Sequence, residues 1–228
     1  MSLDLTQIKA LCFDVDGTLS DTDDQFVLKL TRWLKPFRFL FPNQDPRPLA
    51  RKFVMLTETP GNILFGLPDR LGLDDELAAL GDFIYRSGLR ESHDPFLLIP
   101  GVQQALVRLQ SHYPMSVVSA RGRRSTQVFL DQFHLSPFFQ SIATAQTCEH
   151  TKPYPDPILW AAEQMGVSPN QCLMIGDTTV DILAAKAAGA QSVGVLCGFG
   201  KEDELQKVGA DLILKSTALL PNVLLECE

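Results

Sequence analysis

The chain has 228 residues, of which 45% are hydrophobic and 21% charged. That balance fits a globular core and excludes a disordered chain as the default reading. The formal net charge of −7 argues against a protein that grips nucleic acid through its phosphates, because that task needs clustered Lys and Arg. It also disfavours an anionic membrane surface, but leaves a small anionic substrate open, since a local cation overrides the global field.

In chain order, Ile8 to Phe13 is a short apolar run that stops at Asp14-Val15-Asp16-Gly17-Thr18, the pattern of a buried strand ending in a turn. From about Thr22 to Phe96 the chain is helix-like and rich in aromatic residues, with little strand character. It reads as a helical insertion whose aromatics form its own core. Beyond residue 100, helical and strand patterns alternate. Helices are expected over 102–109, 122–133, 155–165 and 178–188, and strands over 115–119, 141–145, 172–175, 192–196 and 211–214. Such alternation predicts an α/β fold with a Rossmann-like parallel sheet covered on both faces. The domain division is then 1–20 plus 98–228 for the α/β core and 21–97 for the helical insertion.

The five cysteines are scattered, odd in number and without a C-x-x-C pair, the usage of a reduced protein in which cysteine is a small buried hydrophobe. No basic and apolar leader precedes the first strand, and no run approaches a bilayer span. A cytoplasmic location is therefore expected, with no membrane and no nucleic-acid partner. The four histidines show no zinc-type spacing.

Four places can carry chemistry. Asp14 and Asp16 lie two residues apart at a strand end, so their side chains share a face and enter the crevice where α/β proteins bind ligands. Two carboxylates held together call for a cation or a shared proton, and a hard divalent cation bound by oxygen answers that need. Gly17 permits the turn that follows. Asp177, in Gly176-Asp177-Thr178-Thr179-Val180-Asp181, ends another apolar strand and can reach the same cation. Asp181 is placed to orient a ligand or a lysine, while Asp and Thr here also suit helix capping. Ser119, with the amides of Ala120 and Arg121, makes an anion site at a helix N-terminus. Lys152, in Thr151-Lys152-Pro153-Tyr154-Pro155, stands on a proline-stiffened loop and can neutralise carboxylates or hold a phosphate oxygen.

In this order and spacing the four places resemble a haloacid dehalogenase superfamily hydrolase of the phosphoglycolate phosphatase-like branch. The pieces that carry the resemblance are Asp14-Val15-Asp16-Gly17-Thr18-Leu19, Ser119, Lys152-Pro153-Tyr154-Pro155 and Gly176-Asp177-Thr178-Thr179-Val180-Asp181. The resemblance implies that Asp14 attacks phosphorus and forms an aspartyl-phosphate, while Asp16 acts as general acid and then base. It implies Mg²⁺ held by Asp14, the Asp16 carbonyl and Asp177. Ser119, the Ala120 amide and Lys152 would hold the phosphoryl oxygens, with Asp181, Gly17 and Thr18 in support. The insertion would be a cap that closes over a small phosphorylated metabolite. Relatives often carry Asn where this chain has Ala120. Arg121 either adds charge at the phosphate or faces solvent like Arg123 and Arg124.

The resemblance also implies a distinction within the superfamily: dehalogenase-like and phosphonatase-like members are expected to lack Asp at the position of Asp16, so its presence favours a phosphate ester, whose leaving oxygen needs a proton. A phosphosugar mutase of the same branch is the alternative reaction, and a phosphate-sensing receiver-type protein the alternative class. The latter sits poorly with an acceptor aspartate after the first strand. Arg47, Arg51 and Lys52 in the insertion could meet an anionic substrate, although a solvated basic helix face is the plainer reading.

Overall fold

A computed structural model describes residues 3–21 and 96–225. The helical cap expected over 21–97, with Arg47, Arg51 and Lys52, lies outside the described residues apart from its two ends. Those ends are paired: the Asp21 amide donates to the Leu97 carbonyl at 2.8 Å and the Ile99 amide to the Leu19 carbonyl at 3.0 Å, around an antiparallel bridge between Ser20 and Leu98.

Among the described residues six strands form one sheet: β1 (Ala10–Phe13), β2 (Met115–Val118), β3 (Ser141–Ala143), β4 (Cys172–Gly176), β5 (Gln191–Val195) and β6 (Leu212–Leu214). Their order is β3-β2-β1-β4-β5-β6, and every pairing is parallel. The described helices are α1 (Val102–Leu109), α2 (Arg123–Gln132), α3 (Asp156–Met165), α4 (Thr179–Ala188), α5 (Glu202–Val208) and α6 (Leu220–Leu225). The α/β parallel sheet read from the sequence is therefore present, with strand and helix limits within two residues of expectation. α5 and α6 were not expected.

Strand periodicity divides the core. Leu11 and Phe13 of β1 point to one face and join Met115, Val117, Leu173, Ile175, Val193 and Val195, against Leu106, Leu109, Phe129 and Leu220 from the helices. Ala10 and Cys12 point to the other, with Val118, Ala143, Cys172 and Met174 under Ile158, Ala161, Ala162, Ala184 and Ala185 of α3 and α4. One face is filled by large side chains, the other mostly by small ones that let two helices lie close to the sheet. Each fully buried Leu or Phe contributes roughly 1.5–3 kcal/mol of transfer free energy. Cys12 and Cys172 behave as the expected buried hydrophobes; Cys227 lies outside the described residues. Among the described residues no helix is long and apolar enough to cross a membrane.

The strand order places the site. From β1 the chain moves outward to β2 and β3, then returns to β4 on the opposite side of β1. The carboxyl end of β1 is therefore the point where winding reverses, and a crevice opens there. Asp14 follows β1, Ser119 follows β2 and Asp177 follows β4, so three separate sequence segments converge at one end of the sheet.

Candidate active site

Asp14 extends the ladder by one residue, its amide donating to the Ile175 carbonyl at 2.9 Å. The backbone then turns back tightly: the Leu19 and Ser20 amides both donate to the Val15 carbonyl, at 2.9 and 2.8 Å. Gly17 takes φ +73° in this turn, a left-handed conformation that L side chains rarely adopt. A Cβ at Gly17 would also overlap the Asp177 carboxylate. The D-x-D-G-T turn and Asp177 are thus packed against each other without space for a side chain between them.

Asp14, Asp177 and Asp181 are buried, and an oxygen from each lies within 4.8 Å of the others. Lys152, 5% exposed, inserts its ammonium between two of them, with Nζ donating to Asp14 Oδ1 at 2.7 Å and to Asp181 Oδ1 at 2.6 Å. Among the described residues Asp14 Oδ2 has no hydrogen-bond partner. Asp181 is occupied on both oxygens. Its Oδ2 accepts from the Thr178 amide at 3.0 Å and from Thr178 Oγ1 at 2.8 Å. This is the capping box of α4, with Thr178 as N-cap. Helix capping and lysine orientation, set side by side in the sequence, are both performed by this one carboxylate. Asp177 accepts from the Phe199 amide at 2.8 Å and, more weakly, from Thr18 Oγ1 at 3.5 Å.

The charges do not balance. Burial pushes the Asp14 carboxyl up to about 7; Lys152 opposes this, while the Asp181 and Asp16 charges add to it. For Lys152, burial works against the charge, but Asp14 and Asp181 outweigh it and hold the ammonium well above its ordinary range. Three buried carboxylates thus share one buried ammonium. The donors are all oxygen, and the excess is negative, which fits a hard divalent cation such as Mg²⁺.

Ser119 is buried at the end of β2, with its amide on the Ala143 carbonyl at 3.0 Å. Of the donors expected for an anion, the structure commits one elsewhere. The Arg121 amide is already used, donating to Ser119 Oγ at 3.1 Å, and α2 starts only at Arg123. The Ser119 hydroxyl and the Ala120 amide are the remaining candidates from that expectation.

Arg121 does not face solvent; its guanidinium is engaged with the Asp16 carboxylate. Its Nε donates to Asp16 Oδ2 at 3.0 Å and its Nη2 to Asp16 Oδ1. The guanidinium carbon lies 5.0 Å from the ring centre of Phe96 and 5.9 Å from that of Phe129. Phe96, assigned by sequence to the insertion's own core, instead packs edge-to-face on Phe129 at 5.8 Å.

Sequence reading missed the loop after β5. Gly198 and Gly200 bracket the Phe199 amide that holds Asp177. A Cβ on Gly198 would overlap Asp177 Oδ2 and lie 2.6 Å from the Gly17 carbonyl oxygen, and one on Gly200 would overlap the Asp177 carbonyl. The available signal was G-x-G shortly after an apolar strand, which marks close backbone approach.

A parallel sheet with a buried aspartate and lysine cluster at its winding reversal defines a phosphatase-type enzyme working through carboxylates. The comparisons give the family. The model of haloacid dehalogenase-like hydrolases matches residues 11–195, and the chain belongs to that family. It is 30% identical over 225 residues to a phosphoglycolate phosphatase of Pseudomonas putida, covering 93% of this chain and 79% of that one. It is 28% identical over 212 residues to the pyrophosphatase PpaX of Bacillus pumilus, covering 91% and 92%. A haloacid dehalogenase family hydrolase of Deinococcus radiodurans, solved with bound phosphate and sodium, superposes with a TM-score of 0.67 at 22% identity, over 96% of each chain. At that identity the likeness is one of fold.

Proposed function

We propose that the protein is an Mg²⁺-dependent phosphatase that hydrolyses a small phosphorylated metabolite through an aspartyl-phosphate on Asp14. The observation that carries this reading is the state of Asp14. It is buried at the strand end, fixed through Oδ1 by Lys152 at 2.7 Å, and unpaired at Oδ2 among the described residues. One oxygen is anchored, and the other is available as a nucleophile.

In the first step Asp14 Oδ2 bonds to phosphorus as the bond from phosphorus to the leaving oxygen breaks, and that oxygen takes a proton from Asp16. In the second, Asp16 takes a proton from water, the water oxygen bonds to phosphorus, and the bond to Asp14 breaks. Proton transfer of this kind contributes typically ~10²–10⁴-fold. Covalent catalysis divides one difficult displacement into two easier ones. Lys152, the Ser119 hydroxyl and the Ala120 amide hold the phosphoryl oxygens. Asp181 keeps Lys152 in place, and Gly17 and Thr18 seat the turn against Asp177. Asp14, the Asp16 carbonyl and Asp177 would hold Mg²⁺, which when bound offsets the repulsion between an anionic nucleophile and an anionic ester.

The relatives named as phosphoglycolate phosphatase and pyrophosphatase support a small substrate of the phosphoglycolate type or a related phosphomonoester. The expected result is Mg²⁺-dependent phosphate release from p-nitrophenyl phosphate, abolished in Asp14→Asn and by chelation. Full activity in Asp14→Asn, or isomerised sugar phosphate formed in place of free phosphate, would overturn the reading.

A further inference from the structure

We propose that Arg121 is a specificity-determining residue: its guanidinium receives a second anionic group, carboxylate or phosphate, on the leaving portion of the substrate, and releases Asp16 in doing so. The proposal rests on the phosphatase reading and deepens it.

Four observations converge. Arg121 lies two residues beyond Ser119 at the sheet end where the phosphoryl group is expected, and its fork closes on Asp16 through Nε and Nη2. Asp16 is the group assigned to the leaving oxygen, so whatever Arg121 binds lies on the leaving side. The third guanidinium nitrogen, Nη1, is buried and meets no acceptor among the described residues. Buried donors are nearly always satisfied, and a persistent exception calls for a missing partner. Phe96 and Phe129, at 5.0 and 5.9 Å from the guanidinium carbon, hold the cation in place.

The fourth observation is the distribution of charge. The ammonium of Lys152 is committed to Asp14 and Asp181, on the side of the transferring phosphoryl group. On the leaving side the described cation is Arg121. Four aspartates surround the cleft, so an anionic leaving portion without its own counter-charge would be repelled. A planar carboxylate or a phosphate can take a guanidinium fork bidentately, which an ammonium cannot reproduce. A neutral leaving group offers nothing to compete with Asp16 and leaves the pair closed. An anionic one supplies the missing acceptor and frees Asp16 for its proton transfers.

The test compares 2-phosphoglycolate with its carboxamide, two esters that differ in the charge of the second group. The readout is the ratio of their kcat/KM values, or of their Ki values against p-nitrophenyl phosphate if turnover is slow. Such a ratio does not depend on how much of a variant is folded. The wild type is expected to favour the carboxylate by about 10–100-fold, the worth of one charge-assisted bidentate contact. Arg121→Met is expected to reduce the ratio to near unity, and Arg121→Lys, with charge but no fork, to leave an intermediate value. Inorganic pyrophosphate, tested on the same three proteins, shows whether phosphate or carboxylate suffers the larger Arg121-dependent loss. Equal handling of acid and amide by the wild type, or an unchanged ratio in Arg121→Met, overturns the proposal. Failure of the wild type to hydrolyse any phosphoester would instead overturn the underlying function.

Discussion

Asp181→Asn separates the two tasks that one carboxylate performs. Oδ1 faces the Lys152 ammonium at 2.6 Å, and Oδ2 faces the Thr178 amide at 3.0 Å and its hydroxyl at 2.8 Å. Every one of these neighbours can donate. An asparagine has one acceptor end, so either orientation turns an NH₂ group toward a donor. The side chain is 0% exposed, so water cannot repair the mismatch. Breaking a buried ion pair costs about 3–5 kcal/mol when it strands the partner charge. Here Lys152 keeps Asp14, and one charge is removed from an over-acidic cluster. A loss of about 2–3 kcal/mol is therefore expected, the worth of one charge-assisted hydrogen bond with a local mismatch. Urea unfolding of the metal-free protein should show the midpoint falling with an unchanged m value, and the melting temperature falling by roughly 4–12 °C. Phosphatase kcat should fall as well, because Lys152 loses its second anchor. A variant within about 0.5 kcal/mol of wild type would show that the Lys152–Asp181 contact holds nothing in place, and the account of Asp181 as the support of Lys152 would fail.

The pH dependence follows from Asp14, which burial raises to about 7. Without metal, the folded state keeps this proton while the unfolded chain releases it near 4. The contribution of Asp14 to stability therefore falls as pH rises from about 4 to about 7, by at most about 4 kcal/mol, which denaturant titrations in chelator across that range can follow. Mg²⁺ binding needs the carboxylate, so it should release up to one proton and tighten between pH 6 and 8, measured by calorimetry in buffers of differing ionisation heat. A pH-independent affinity would contradict this. Gly198→Ala places a methyl against Asp177 and Gly17; a loss of about 1–3 kcal/mol is expected from the overlap. Its Mg²⁺ affinity should fall further than that of Gly166→Ala, whose Cβ meets nothing within 4 Å. Comparable Mg²⁺ affinities would place the loop after β5 outside the metal site. Leu11→Ala, in the large-residue face of the core, should cost about 2–5 kcal/mol by unfolding titration.

What could be read from the sequence was whatever local pattern dictates. Ile8 to Phe13 is apolar and stops at two aspartates and a glycine, and no long-range contact is needed to see a strand end there. The same holds for Cys172 to Gly176 and Asp177. Pairing partners were less accessible. Asp181 looked equally like a cap and a lysine support because one residue has two oxygens, and only the fold turns each toward a different neighbour. The loop of Gly198 to Gly200 was passed over because its role is to be empty of side chains, and absence becomes visible only when Asp177 is seen against it. Arg121 was the hardest case. Its destination depends on Asp16, 105 positions earlier, and on Phe96, which by sequence belonged to another unit. A charged residue on a loop carries no mark of its partner in local pattern, since the pairing is fixed by which strands lie side by side. Residues whose role is set by strand order are thus the ones that pattern alone misplaces. In this chain Arg121 is the plainest example, because Asp16, Phe96 and Phe129 are brought around it by the fold and by nothing in its own local pattern.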